Sequence, residues 1–364
     1  MASRRPPLMY VAVIGLAVSG YTTPGAAKDF DPNSNTDWLG VVAGDEAGSE
    51  TELAADMAEL FASTAQFRVA PVPGDGGLQN ISRLLNDPHI DAGFVSTDVL
   101  ADAKTQSEFP NLADKLQVVA RFCPQEVHVL AGADIKSLTD LAGKSVNFGP
   151  AGSSSAVTAA ILFKVLNIAV MPVALDGRTA ITELVKGAIA ADVVVGAKPV
   201  PRIAQIPADR GLHLLSVEFS GSLEDFYLPT GLDHDDYPNL IEMETEIPSV
   251  ATGLALLAAA EKNDDGHAER VARLVDTVFS RFGELKRDGR SPKWREINLA
   301  ASLPGWTRDP AALAWLSQHS DVSAPNGPQA KLEPGVAQTS LPSGQSQREA
   351  LYKQFIEWQR ARGH

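Results

Sequence analysis

The sequence is poor in sulfur, in aromatic rings and in positive charge. A single cysteine, Cys123, in 364 residues excludes an intramolecular disulfide and a cysteine-rich metal cluster, and leaves a buried structural thiol as its expected fate. His89, His128, His213, His234, His267 and His319 are scattered, with no pair at helical or hairpin ligand spacing, so no metal site and no cofactor is expected. Lysine and arginine number 31 against 45 aspartates and glutamates, a net charge of −14. Such a field repels nucleic acid and anionic membrane surfaces. Past the N-terminus no apolar run is long enough to span a bilayer; Leu254 to Ala260 is stopped by Glu261, Lys262 and Asp264. Catalytic signatures are also missing. Gly143-Lys144-Ser145 ends like a phosphate loop, but position 138 is Leu and the lysine precedes a strand. Asp235-Asp236 lacks the Gly and Glu of a calcium loop, and no Gly-x-Ser-x-Gly elbow occurs. An enzyme is therefore not expected.

What is present begins with a secretory grammar: Arg4 and Arg5, an apolar run from Leu8 to Val18, then small residues at Gly25 and Ala27. Residues 1–27 read as a signal peptide cleaved after Ala27, which directs the mature chain to the periplasm; a retained anchor is the other reading. Cleavage would remove two arginines and no acid, which makes the mature chain more acidic still.

Residues 28–36 form a polar, flexible leader, and strands then alternate with helices. Trp38 to Ala43, Phe67 to Val72 and Ala92 to Val95 read as strands; the segments between carry apolar residues at helical spacing, such as Leu53, Met57, Leu60 and Phe61. This alternation predicts a mainly parallel sheet with ligands beyond the carboxyl ends of its strands. The loops at those ends, 44–51, 73–79 and 96–98, are rich in Gly, Ser, Thr and Asp. A second alternating block runs from Val146 to Val195, and Ile247 to Ala260 reads as a buried strand returning to the first lobe. Val271, Leu274, Val275, Val278 and Phe282 mark one face of a long helix.

The most informative stretch runs from Ser145 to Ala160. A short strand, Val146 to Phe148, enters a Gly149-Pro150-Ala151-Gly152 turn, and Ser153, Ser154 and Ser155 open an apolar helix. Serine caps the free N–H groups at a helix start, and the remaining amides with the helix dipole favour an anion. An ordinary strand-to-helix turn would have the same sequence signature.

The organisation expected is a first lobe of residues 37–128 plus 250–320, a second lobe of 129–249, a Pro/Gly/Ser-rich linker at 321–347 and a C-terminal helix at 348–364. Leu351, Phe355 and Trp358 lie on one face of that last helix, which docks on the body or binds a partner.

Several stretches, in order, resemble TAXI-type solute receptors, the extracytoplasmic binding subunits of a class of TRAP transporters among the NMT1-like periplasmic binding proteins. They are Val41 to Gly48, Pro73 to Leu85, Asp91 to Asp98, Glu126 to Val129, Ile135 through Ser155, and Ile247 to Ala251. The resemblance implies a class II-like two-lobed α/β binding protein, monomeric by default, that closes by hinge motion on a small anionic solute, an acidic amino acid or a dicarboxylate, and hands it to a membrane permease. A sensory or adaptor protein of the same fold, signalling to another membrane partner, is the alternative. On this reading Gly152, Ser153, Ser154 and Ser155 hold a ligand carboxylate, and Gly76, Gly77, Ser96 and Thr97 face them from the other lobe, with Gly44 and Gly48 in the first loop. Lys198 would meet a second acid group, and Asp45 and Glu46 an ammonium group. Arg121 would pair with Glu126 or touch the ligand.

Overall fold

Strand β1 (Trp38–Val42) is buried from Leu39 onward and lies between β2 (Arg68–Val72) and β3 (Ala92–Ser96), parallel to both. The structure, a computed structural model, describes residues 38–319 apart from 45–47, 63–66, 263 and 265. The expected signal peptide, leader, linker and C-terminal helix lie outside them, as do Asp45 and Glu46.

Between the first strands run helices α1 (Ser49–Ala62) and α2 (Gly77–Asn86), followed after β3 by α3 (Thr97–Ala103) and α4 (Leu112–Lys115) and then by β4 (Leu116–Arg121). Leu53, Met57, Leu60 and Phe61 of α1 are buried in the core, as their spacing predicts. The chain then leaves for a second sheet. That sheet holds β5 (Gln125–Gly132), β6 (Ser145–Asn147), β7 (Met171–Val173), β8 (Ala191–Gly196), β9 (Leu212–Leu214), β10 (Leu228–Asp233) and β11 (Glu246–Thr252). Its helices are α5 (Ser154–Val165), α6 (Gly177–Val185) and α7 (Pro201–Ala204). Strand β12 (Leu254–Ala259) returns to the first sheet, and α8 (His267–Ser280), α9 (Phe282–Leu285) and α10 (Pro310–Gln318) close that lobe.

The first sheet has the order β2-β1-β3-β12-β4 and the second β10-β11-β5-β8-β6-β7, with β9 beside β5. Strands β6, β7 and β8 are parallel, and every strand of the first sheet except β12 runs one way. This is the two-lobed α/β architecture the sequence predicts, except that the second sheet is mixed rather than mainly parallel: β5 pairs antiparallel with β8, β9 and β11, and β10 antiparallel with β11. On α8 the buried face ends in Phe279 rather than the expected Phe282, which instead opens α9 after a break at Arg281.

The lobe boundaries fall elsewhere than at 128/129 and 249/250. Strand β4 pairs with β12 as far as Arg121, and the Phe122 amide donates to the Leu254 carbonyl. Pro124 has no N–H with which to extend that ladder, and from Glu126 the chain pairs with β8 of the second sheet. The run from Ile247 to Ala260 is likewise two strands, split at Gly253. A Cβ there would sit 3.0 Å from Thr97 Cγ2, so a larger residue would have to push the Thr97 side chain back by a few tenths of an ångström. Thr97 fixes this crossing: its N–H donates to the Gly253 carbonyl at 2.8 Å, and its Oγ1 accepts the Gly253 amide at 3.1 Å.

Asp98, buried beside it, ties three elements together. Its carboxylate accepts from Thr252 Oγ1 at 2.9 Å in β11 and from Thr158 Oγ1 at 2.6 Å in α5. Tyr227 OH approaches it at 3.5 Å. The Asp98→Ala variant strips two buried hydroxyls of their acceptor and should lower the unfolding free energy by about 2–5 kcal/mol, read from urea denaturation.

Candidate functional site

A cleft of about 180 Å³ opens where the carboxyl ends of both sheets face each other. The first lobe lines it with Gly44, Gly48, Ser49, Glu50 and Asp75, and the crossing contributes Gln125. The second lobe brings Gly149, Ser153, Ser154, Ser155, Asp176 and Arg202.

The three serines do separate work. Ser153 caps α5, its Oγ accepting the Ala156 amide at 3.1 Å. Ser154 Oγ accepts the Gly77 amide of the other lobe at 2.9 Å, and Ser155 Oγ accepts the Val195 amide at the end of β8 at 3.0 Å. A hydroxyl that accepts in this way retains its hydrogen for donation. All three line the cleft, so the row of serines sets hydroxyl donors along one wall.

Seven of the expected residues do not line it: Gly76, Gly77, Ser96, Thr97, Gly152, Lys198 and Arg121. Gly76 and Gly77 lie where the start of α2 meets the serine turn. The Leu78 amide donates to the Gly152 carbonyl at 2.8 Å, and a Cβ on Gly77 would come within 2.3 Å of the same oxygen. These glycines and Gly152 are thus a contact between lobes, and the α2 amides are satisfied by protein. Thr97 serves the crossing. Ser96 is fully buried with its Oγ unpartnered. Lys198 turns away to a 2.8 Å ion pair with Asp236 and donates to the Gly231 carbonyl at 2.7 Å, because those acceptors offer its ammonium two partners inside the second lobe. Arg121 lies beside Gly253 without reaching Glu126, which accepts the Lys198 amide at 2.8 Å.

Four charged side chains line the cleft: Glu50 and Asp75, within the loops 44–51 and 73–79, and Asp176 and Arg202, which lie outside the expected site. Glu50 packs its carboxylate over Gly44, where a Cβ would stand 2.0 Å from Oε2. Asp176 caps α6; hydrogen bonds from the Thr179 side chain and amide, with that of Arg178, hold its carboxyl below the usual range. Arg202 crosses over Gly177 and stands 3.9 Å from Asp192. Both loops follow strand ends, so the rule that selected 44–51 and 73–79 also selects Asp176 after β7 and Arg202 after β8.

The sequence pattern of the NMT1-like family matches residues 52–293. The chain belongs to the NMT1-like family. Among solved structures, a periplasmic transporter is 14% identical with a TM-score of 0.45, over 80% of this chain and 96% of its own. The alkanesulfonate-binding protein of Xanthomonas axonopodis pv. citri, bound to MOPS, is 18% identical with a TM-score of 0.44, covering 77% of this chain and 83% of that one. An amino acid ABC transporter substrate-binding protein from Streptococcus pneumoniae, bound to L-arginine, is 14% identical with a TM-score of 0.39, covering 68% of this chain and 91% of that one.

Next to Gln125 at the crossing, Glu126 is enclosed by both lobes. Burial pushes its carboxyl up to about 7, against the pull of Lys293 and the Lys198 amide. Cys123, two residues before Gln125, is buried as expected, and burial raises its thiol. A carboxyl raised on folding contributes stability that is fully present below its unfolded value and is lost as pH rises through the folded one. Unfolding free energy should therefore fall between about pH 4.5 and 7 through this group. Glu126→Gln keeps the acceptor for Lys198 and should flatten that part of the profile; an unchanged slope in denaturant melts would contradict it.

Proposed function

We propose that this protein is an exported solute receptor that encloses a small amino acid between its lobes and passes it to a TRAP-type membrane permease, performing no chemistry on it. The observation that supports this most is the sorting of charge in the cleft. Arg202 and the hydroxyls of the α5 start offer partners to a carboxylate, and Glu50, Asp75 and Asp176 offer partners to an ammonium group. A plain dicarboxylate, included in the broader expectation from sequence, would bring a second negative charge towards the carboxylates on that side of the cleft, which repel it. An amino acid presents both signs.

Isothermal titration of the full chain against amino acids and dicarboxylates tests this. Amino acids should bind, with succinate weaker by about tenfold or more, and Glu50→Gln should narrow that gap by about 1.4 kcal/mol. Equal affinity for succinate and for its amino-acid counterparts would overturn the assignment.

A further inference from the structure

Asp192 and Arg202 make an unfinished pair behind the cleft wall. Asp192, on β8, is 1% exposed; its Oδ1 accepts Asn147 Nδ2 at 2.7 Å, but its Oδ2 has no hydrogen-bond partner. Arg202 Nε is also buried without a partner, and the nearest approach of the two side chains is 3.9 Å, beyond a hydrogen bond. A buried carboxylate oxygen and a buried Nε each left without a partner are costly, and small rearrangements of the partly exposed Arg202 side chain have little to break. Arg202 also lines the cleft, so the same guanidinium faces an incoming ligand.

We propose that Arg202 is the carboxylate-recognising residue of the cleft and that it is shared: a ligand carboxylate takes it from Asp192, which then binds a proton from solvent. This rests on the reading of the cleft as a solute site. Among the described residues no cation other than Arg202 acts on Asp192, and His128, beside it on β5, is held neutral by burial, which lowers it to about 3. Asn147 of β6 is neutral, Leu130 of β5 and Ala180 and Leu184 of α6 are apolar, Ser155 of α5 is turned to Val195, and Asp176 at the α6 cap is itself acidic. Burial already pushes Asp192 up to about 6, against the opposing pull of Arg202 and Asn147. When a ligand neutralises Arg202, the main force holding Asp192 ionised is removed, so its titration moves upward. Conversely, Asp192 is neutral below about 6 and does not compete, and it competes once ionised. Carboxylate affinity should fall as pH rises from about 5.5 to 7.5, by at most tenfold per pH unit for one proton.

The test uses the full chain with sodium acetate as the probe and sodium chloride at matched ionic strength as the control, following the Asp192 carboxyl by carbon NMR across pH. Acetate should raise the Asp192 midpoint by about one pH unit in the wild type. Arg202→Gln should show a raised midpoint without acetate and no response to it. Arg202→Lys, which retains the charge, keeps the control midpoint low, and Asp192→Asn should remove the pH dependence of acetate affinity. An Asp192 midpoint that ignores acetate in the wild type overturns the proposal. If amino acids nonetheless bind, the receptor assignment stands and their carboxylate is held elsewhere. If acetate moves Asp192 while no amino acid binds, the exchange stands and the choice of solute falls.

Discussion

The structure depends on two helix starts that meet head to head across the lobes. Free amides at the beginning of α2 donate to Ser154 Oγ and the Gly152 carbonyl, which belong to the turn that opens α5. The α2 start needs acceptors and the turn of the second lobe supplies them, while α5 is capped by its own Ser153. The positive φ of Gly76, Gly77, Gly149 and Gly152 lets the two backbones approach this closely. Because the lobes touch here, the remaining space lies to one side, between Glu50, Asp75, Asp176 and Arg202, and that is where the cleft forms.

Beside this contact the lobes share core as well as hydrogen bonds. Val157 of α5 packs with Val95, Val99 and Leu100 of the first lobe, and Thr158 reaches Asp98 one residue later. On the far side of the first lobe, Asp91 is anchored in the same manner. Burial alone would raise its carboxyl, but hydrogen bonds from His267 and Arg270 hold it below the usual range. That cluster fastens α8, which follows the return from the second lobe, to the loop before β3, so the two halves of the first lobe act as one body.

Much of the fold is legible in the sequence because alternation of apolar strands and periodic helices is a local property. Ser153 to Ser155 could be placed at a helix start, and the glycine turns at strand ends, from residue spacing alone. What spacing does not encode is which partner claims a group. Thr97, Gly76 and Gly77 have the composition of a ligand loop, yet Gly253 claims the first, and Ser154 with Gly152 the other two. Lys198 is lost to the cleft because Asp236, 38 positions on in the chain, folds back to meet it. The split at Gly253 was hidden for the opposite reason: residues 247–260 are apolar on both sides of the break, since both strands are central in their sheets. Arg202 could have been found by applying the strand-end rule once more after β8.

The paired crossings have a topological consequence. Arg121 faces Ala255 in the first sheet and Gln125 faces Thr252 in the second, so outgoing and returning chain run side by side as one antiparallel ribbon. The whole second lobe is therefore an insert hung from a single narrow neck. Its entry and exit stand within a hydrogen bond of each other at Phe122 and Leu254. Rotation about this neck leaves the ribbon's ladder intact and has to break only the side contacts, Gly77 to Ser154, Leu78 to Gly152 and Thr158 to Asp98, whereas sliding one lobe past the other would have to tear the ladder as well.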